Sequence, residues 1–189
     1  MSPSKNQPSA SSPGLRGIVD ALLQGSLVDL FQVYGVAIAP LPRDARNEPQ
    51  RVPEVSAVIS FNSARDGKCP SANGKLSLSV PTEIVEAMQG DVALRGRHAD
   101  WVRELANQLM GRFKNRLLPY GARLQAGVPS SIGREALEGQ LARASALRVY
   151  RARTRRGDVV ATLDGTLEES ELSYVGGTNE PAEGELLLF

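Results

Sequence analysis

The sequence predicts a single α+β domain in which long helices pack on an antiparallel β-sheet. Segments with the helical period alternate with two hairpin patterns, and the order helix, hairpin, helix is typical of this class. The 189 residues suffice for one domain with a hydrophobic core and are too few to favour two. With 41% hydrophobic and 23% charged residues, the composition is that of an ordinary globular protein.

The first predicted element is a helix in GLRGIVDALLQGSLVDLFQVYG, residues 14–35. Its apolar residues recur at helical spacing, with a predicted interruption near Gly25 and Ser26 as a fresh N-cap. The following VAIAPLP is compatible with a short strand. Prolines and charges then indicate a loop over residues 42–54.

The first hairpin pattern follows this loop. VSAVISFNS, residues 55–63, is rich in β-branched residues and alternates, and KLSLSV, residues 75–80, alternates strictly, so each predicts a strand, the second half-buried. Turn formers between them indicate an enlarged loop: Asp66-Gly67, Pro70 and Asn73-Gly74. Pro81-Thr82 then opens a helix that stops at Gly90.

The second half of the chain begins with a long predicted helix, WVRELANQLMGRFKNRLLPYG. Asp100 is its predicted N-cap, and the helix is expected to end near Pro119 and Gly121. Turn signals at Pro129 and Gly133 accompany a possible short helix. A second hairpin is predicted over residues 146–154 and 158–164. Beyond Gly165 the chain is acidic, and GELLLF is compatible with a last strand.

Composition limits the classes of function. The net charge of +1 argues against nucleic-acid binding, and no apolar run approaches the ~20 residues that span a bilayer. Cys69 and His98 are the lone cysteine and histidine, so a Cys/His zinc site is excluded on count. We expect residues 1–13, rich in serine and proline, to be a disordered tail, residues 14–189 to be the domain, and the protein to be cytoplasmic.

The polar face of the long helix is the candidate functional surface. Leucines at i, i+4 intervals form its apolar stripe, and the opposite side carries a polar set: Glu104, Asn107, Gln108, Gly111, Lys114 and Asn115. A glycine inside a helix lowers helix stability by roughly 1 kcal/mol relative to alanine, so the presence of Gly111 requires an explanation. One reason is clearance for another protein, and another is tight internal packing. A merely solvated face is the common alternative.

The pattern E-x-x-N-x-x-x-G-x-x-K-x-x-L, from Glu104 through Asn107, Gly111 and Lys114 to Leu117, resembles the signature helix of the CheC/CheX/FliY family. The similarity covers about residues 15–165 and is strongest to the CheX branch. The family comprises bacterial phosphatases of the phosphorylated chemotaxis response regulator. The resemblance therefore implies a CheC/CheX-like α+β fold and a CheY-like receiver domain as partner.

The resemblance also implies a division of roles within the helix. Asn107 is expected to orient the water that attacks the aspartyl phosphate, and Glu104 to pair with the receiver's active-site lysine. Gln108, Gly111 and Lys114 are expected to contact the partner. The receiver supplies its own Mg²⁺, so no cofactor or metal bound by this chain is expected. Phosphoryl transfer depends on positioning and charge neutralisation, which suits an amide.

The sequence departs from the two-motif members of the family. The equivalent earlier helix has Glu83 and Glu86, with glutamate where asparagine is needed, so we expect a single active site. Two alternatives remain open: a receiver-binding module without catalysis, and a structural member of the flagellar-switch group. Relatives dimerise through sheet edges, which makes a homodimer possible here.

The other conspicuous residues are not expected to have catalytic roles. A cluster of arginines on the second hairpin is compatible with a charged edge strand, which is the favoured interpretation, or with a contact to an acidic receiver surface or a nucleic-acid phosphate. The cluster comprises Arg148, Arg151, Arg153, Arg155 and Arg156. We expect His98 to be a solvated loop residue, Cys69 to have no nucleophilic role and Trp101 to serve packing.

Overall fold

The computed structural model describes residues 17–41, 53–63, 70–89, 97–144, 147–167 and 172–175. The predicted tail at 1–13, most of the 42–54 loop, Cys69 and the final GELLLF segment lie outside these ranges. The helices are α1 (Ile18–Val33), α2 (Thr82–Gln89), α3 (His98–Leu117) and α4 (Arg134–Arg143). No helix in the described part of the chain has the length and apolar character needed to cross a membrane.

The strands form one antiparallel sheet. In chain order they are β1 (Ala39–Pro40), β2 (Val55–Ser63), β3 (Ala72–Val80), β4 (Leu124–Ala126), β5 (Ser130–Ile132), β6 (Leu147–Thr154) and β7 (Gly157–Leu167). Within the described residues the order across the sheet is β1-β6-β7-β3-β2-β4, and β5 also pairs with β2. The predicted α+β class is confirmed, and both hairpins lie where the sequence predicts them.

Helices cover both faces of this sheet. On one face α3 packs against β2 and β3, with α1 and α2 beside it, and the three helices share one hydrophobic core with the sheet. On the other face Leu137 of α4 lines a small cavity together with Ser77 and Thr162. The prediction that β3 is half-buried is therefore wrong, because Ser77 and Ser79 are buried as well. Their hydroxyls are hydrogen bonded, Ser77 to Thr162 and Ser79 to Ser56.

The first helix is continuous through Gly25, so the predicted interruption is wrong. Ser26 is not an N-cap; its hydroxyl donates to the carbonyl of Leu22 at 2.7 Å. Gly25 instead makes room for the guanidinium of Arg116 on α3, which a Cβ at this position would meet. Arg116 in turn pairs with Asp29, so the glycine permits a contact between two antiparallel helices.

The long helix starts three residues earlier than predicted, at His98, and Asp100 lies in its first turn rather than at its N-cap. Asp100 accepts a hydrogen bond from Arg103 one turn later. The expectation of a solvated loop histidine is wrong, because the Nε2 atom of His98 is buried and lies 3.9 Å from Oε1 of Glu86. After α3, a turn of 3-10 helix (Leu118–Tyr120) ends at Gly121 with φ of 77°, close to the predicted end.

The predicted turn at Asn73-Gly74 is wrong, since β3 begins at Ala72 and includes both residues. Gly74 pairs with Phe61 on one side and Gly165 on the other. A Cβ on Gly74 would come within 2.5 Å of the Asp164 carbonyl and 2.8 Å of the Phe61 ring. The glycine therefore permits close strand packing, which is a known role of glycine within strands.

Strand β6 is next to the sheet edge and carries three arginines of the cluster, Arg148, Arg151 and Arg153, whereas Arg155 and Arg156 lie in the turn that follows it. Strand β1 pairs with β6 at Ala152 and Arg153, and the amide of Leu41 donates to the carbonyl of Arg151 at 2.8 Å. Arg148 lies 3.5 Å from Asp20 of α1, and Arg153 donates to Asp158 at 3.0 Å. These two arginines make ion pairs within the fold.

Replacement of Gly165 by alanine is expected to destabilise the sheet. Gly165 has φ of 149°, and a Cβ there would lie 2.5 Å from the Cα of Gly74. Backbone strain and overpacking each cost about 1–3 kcal/mol, so we expect a loss of about 2–6 kcal/mol in the free energy of unfolding, measured by urea denaturation. Gly133→Ala is the control, because Gly133 has φ of −70° and open space at its Cβ position. Equal free energies of unfolding for the two variants would contradict the close packing of Gly165 against Gly74.

Candidate functional site

The apolar stripe of α3 determines which side of the helix faces outward. Its seven buried residues are Val102, Leu105, Ala106, Leu109, Met110, Phe113 and Leu117. These residues belong to the main hydrophobic core beneath the sheet. The predicted stripe is confirmed, and the polar residues between its members are turned away from the core.

Glu104 and Asn107 are both exposed on this outward side. They are one helical turn apart, a spacing that brings Cβ atoms to roughly 5–6 Å. Among the residues that the structure describes, no side chain or backbone group hydrogen bonds to the Asn107 carboxamide. Its donor and acceptor atoms are therefore both available to a molecule that approaches α3.

Gln108 links Glu104 to the end of α1. Its Nε2 donates to Oε1 of Glu104 at 3.0 Å, and its Oε1 accepts from the hydroxyl of Tyr34 at 2.9 Å. The Tyr34 ring in turn forms a T-shaped contact with Trp101, with centroids 5.7 Å apart and planes at 72°. Trp101 therefore has the packing role that the sequence predicts. Tyr34 is absent from the predicted site, because its partner Gln108 is 74 residues away in the sequence.

Gly111 faces open space. A Cβ at this position would have no neighbouring heavy atom within 4 Å, apart from the backbone of its own helix. Tight internal packing therefore does not explain the glycine. Clearance above the helix surface, one turn beyond Asn107, remains as a reason for its presence.

Glu104 has no cationic partner in the described part of the protein. Asp100, one turn earlier on the same side, pairs with Arg103 instead. Lys114, one turn beyond Gly111 and half-buried, likewise forms no ion pair with a described residue. The face thus presents a carboxylate near its beginning and an ammonium group near its end, each free to pair with an opposite charge.

No protein-family model matches the sequence, and neither does any curated protein. Solved structures do match. The chemotaxis protein CheX from Vibrio vulnificus aligns with a TM-score of 0.57 and 16% identity over 84% of this chain and 100% of that one. A CheC-like superfamily protein from Shewanella sp. PV-4 aligns with a TM-score of 0.59 and 16% identity over 79% and 97%. This chain has the CheX fold.

A CheX from Borrelia burgdorferi has this fold as well, and its structure is a CheX-CheY-BeF₃-Mg²⁺ complex. It aligns with a TM-score of 0.50 and 11% identity, covering 82% of this chain and 99% of that chain. At such identities the comparison concerns the backbone, and the roles of individual side chains rest on the geometry described above.

In the CheX fold of this chain, α2 lies beside α3 and also has an exposed face. Ile84 and Val85 are buried, whereas Glu83 and Glu86 are exposed. The outward face of α2 therefore carries two carboxylates where α3 has a carboxylate and an amide. A second carboxylate repels phosphoryl oxygens, which is consistent with the prediction of a single site on α3.

The structure thus brings all the predicted site residues onto one helix face. Glu104, Asn107 and Gly111 form its centre, with Gln108 on one flank and Lys114 on the other. Among the described residues, no group of three or more His, Cys, Asp or Glu side chains is placed to hold a metal ion.

Proposed function

We propose that this protein is a phosphatase that hydrolyses the aspartyl phosphate of a CheY-like receiver domain. The observation that carries the proposal is the exposed Asn107 carboxamide, which has no hydrogen-bond partner among the described residues and lies one turn from Glu104, a carboxylate without a cationic partner there. Most exposed amides on helices are merely solvated, but this one lies one helical turn before Gly111, which leaves open space above the helix.

Asn107 acts in this proposal by orienting the attacking water. Water attacks phosphorus, the bond from phosphorus to the aspartyl oxygen breaks, and a carboxylate and inorganic phosphate form, with both protons of the water leaving with the phosphate. The reaction needs in-line positioning rather than a covalent intermediate on the phosphatase. The carboxamide can accept from the water and donate to a phosphoryl oxygen, and it carries no charge that would repel phosphate.

Glu104 docks the receiver in this proposal. An exposed carboxylate without a cationic partner can pair with a lysine of the incoming domain without first breaking another ion pair. The receiver also provides the Mg²⁺ that neutralises the phosphoryl oxygens. The complex of the Borrelia CheX with CheY, BeF₃ and Mg²⁺ supports the choice of partner and the assignment of the metal to the receiver.

Receiver binding without hydrolysis is the alternative, either in a binding module or in a flagellar-switch-like protein. It uses the same face of α3 but gives Asn107 no role beyond contact. The two functions differ in one measurable quantity, the rate at which a bound phosphorylated receiver loses its phosphate. If the wild-type protein binds receivers but leaves this rate unchanged, the binding module is the correct function.

Asn107→Ala is expected to abolish the accelerated decay of the phosphorylated receiver. Loss of the positioned water costs about 100-fold in rate, whereas the affinity for the receiver stays within about twofold because Glu104 is intact. Decay is followed by loss of radiolabel from the receiver in Mg²⁺-containing buffer. Asn62→Ala is the matched control, because Asn62 is exposed on β2 on the opposite face of the sheet. Unchanged decay with Asn107→Ala would refute the assignment.

Glu104→Lys is expected to weaken docking rather than the chemical step. The reversed charge faces the receiver's lysine, and the dissociation constant rises by about 10- to 100-fold, a cost of roughly 1.4–2.8 kcal/mol. Titration calorimetry measures this affinity, and the decay rate at saturating protein stays close to wild type. Glu138→Lys, on the exposed side of α4, is the control for net charge. Equal effects of the two reversals would show that Glu104 has no specific contact.

Gly111→Ala is expected to stabilise the protein and weaken receiver binding at the same time. The added methyl group has no neighbour to clash with in the free protein, and alanine is favoured over glycine in helices by about 1 kcal/mol. Gly139→Ala on α4 is the matched control, since its Cβ would meet the Arg143 side chain at an ordinary 3.7 Å. Thermal unfolding and receiver affinity are measured for both. Retained affinity in Gly111→Ala would contradict the clearance role.

A further inference from the structure

We propose that Tyr34, at the end of α1, is a positioning residue that orients Glu104 through Gln108. This inference rests on the proposed docking role of Glu104 and adds a residue from a second helix to the site. It starts from the chain of hydrogen bonds in which the Tyr34 hydroxyl donates to Gln108 and Gln108 donates to Glu104.

The chemistry of the three groups determines which group donates and which accepts in each of the two hydrogen bonds. A carboxylate is acceptor-only, so Glu104 must face the NH₂ group of the Gln108 amide. The amide then presents its oxygen to Tyr34, and a phenol that meets a carbonyl oxygen has to donate its proton. A phenylalanine in place of Tyr34 removes this constraint, and the Gln108 amide is then free to rotate away from Glu104.

The backbone holds Tyr34 in place for this task. Tyr34 is the C-cap of α1, and Gly35 follows it with φ of 69°. The amide of Val36 donates to the carbonyl of Phe31 at 3.0 Å, and that of Gly35 to the carbonyl of Gln32 at 2.9 Å. These two bonds form a Schellman motif, in which glycine is favoured because it adopts positive φ without strain. The phenol is therefore attached to a fixed helix end rather than to a loop.

Packing holds the ring as well. The Tyr34 ring meets Trp101 edge to face, and Trp101 lies in the first turn of α3, before Glu104. Tyr34 thus contacts α3 at two points, on the turn before Glu104 and on the turn after it. An exposed glutamate otherwise loses rotamer freedom when it docks, and holding it in place beforehand lowers that cost.

The first test uses the free protein and the side-chain amide resonances of Gln108 in NMR spectra. In the wild type we expect them to be displaced from those of the exposed Gln125. Tyr34→Phe, which keeps the ring against Trp101, is expected to move them toward the Gln125 position, as is Glu104→Ala. Tyr120→Phe, in the turn of 3-10 helix that follows α3, is the control and leaves them unchanged. Gln108 resonances that do not respond to Tyr34→Phe would overturn the proposal.

The second test measures the affinity for a CheY-like receiver domain loaded with Mg²⁺ and beryllofluoride. Tyr34→Phe is expected to raise the dissociation constant about three- to tenfold, as for the loss of one hydrogen bond, with the maximal decay rate of phosphorylated receiver unchanged. In a Glu104→Ala background the same substitution is expected to have no further effect, because Tyr34 acts through Glu104.

The outcomes separate this inference from the function on which it rests. An equal loss of affinity in both backgrounds would show a merely structural role for Tyr34 and overturn the inference. If the wild-type protein binds no receiver at all, the proposed function fails, and the NMR result on the free protein still decides whether Tyr34 orients Glu104.

Discussion

The burial of the apolar stripe of α3 against β2 and β3 is the constraint on which the rest of the structure depends. Leu105, Leu109 and Phe113 are fully buried, and burial of each such side chain contributes about 1.5–3 kcal/mol. Rotation of the helix by one residue position would bring these side chains into solvent. The exposure of Glu104, Asn107 and Gly111 is therefore a consequence of core packing, and the candidate site lies on a rigid element.

The same helix connects the site to more distant parts of the fold. Gly25 admits the Arg116 side chain, which pairs with Asp29, and this contact fixes α1 alongside the second half of α3. At its other end α1 ends at Val33, and the C-cap residue Tyr34, followed by Gly35, lies beside Gln108. In the proposed positioning of Glu104 by Tyr34 and Gln108, the orientation of the carboxylate depends on how α1 ends.

Periodicity in the sequence was sufficient to predict α3, its buried stripe and both long hairpins, because these elements bury a continuous apolar face. Periodicity failed for residues whose burial or packing is determined by contacts with segments distant in the sequence. Gly74 resembles a turn residue, yet it serves close packing beside Phe61 and Gly165. Ser77 and Ser79 alternate as if solvated, yet both are buried on the face that α4 covers. Strands β4 and β5 have three residues each and too little local pattern to be recognised.

The sequence identified the residues of the candidate site but not the contacts that hold them in place. Residue spacing brings Glu104, Asn107 and Gly111 together, whereas the contact of Gln108 with Tyr34 depends on the packing of two helices far apart in sequence. The most direct test of the account is a structure of this protein bound to a receiver domain with Mg²⁺ and beryllofluoride. We expect the Asn107 carboxamide to lie at the beryllofluoride group and Glu104 to lie against a receiver lysine. A receiver bound to another face, with Asn107 in solvent, would contradict this expectation.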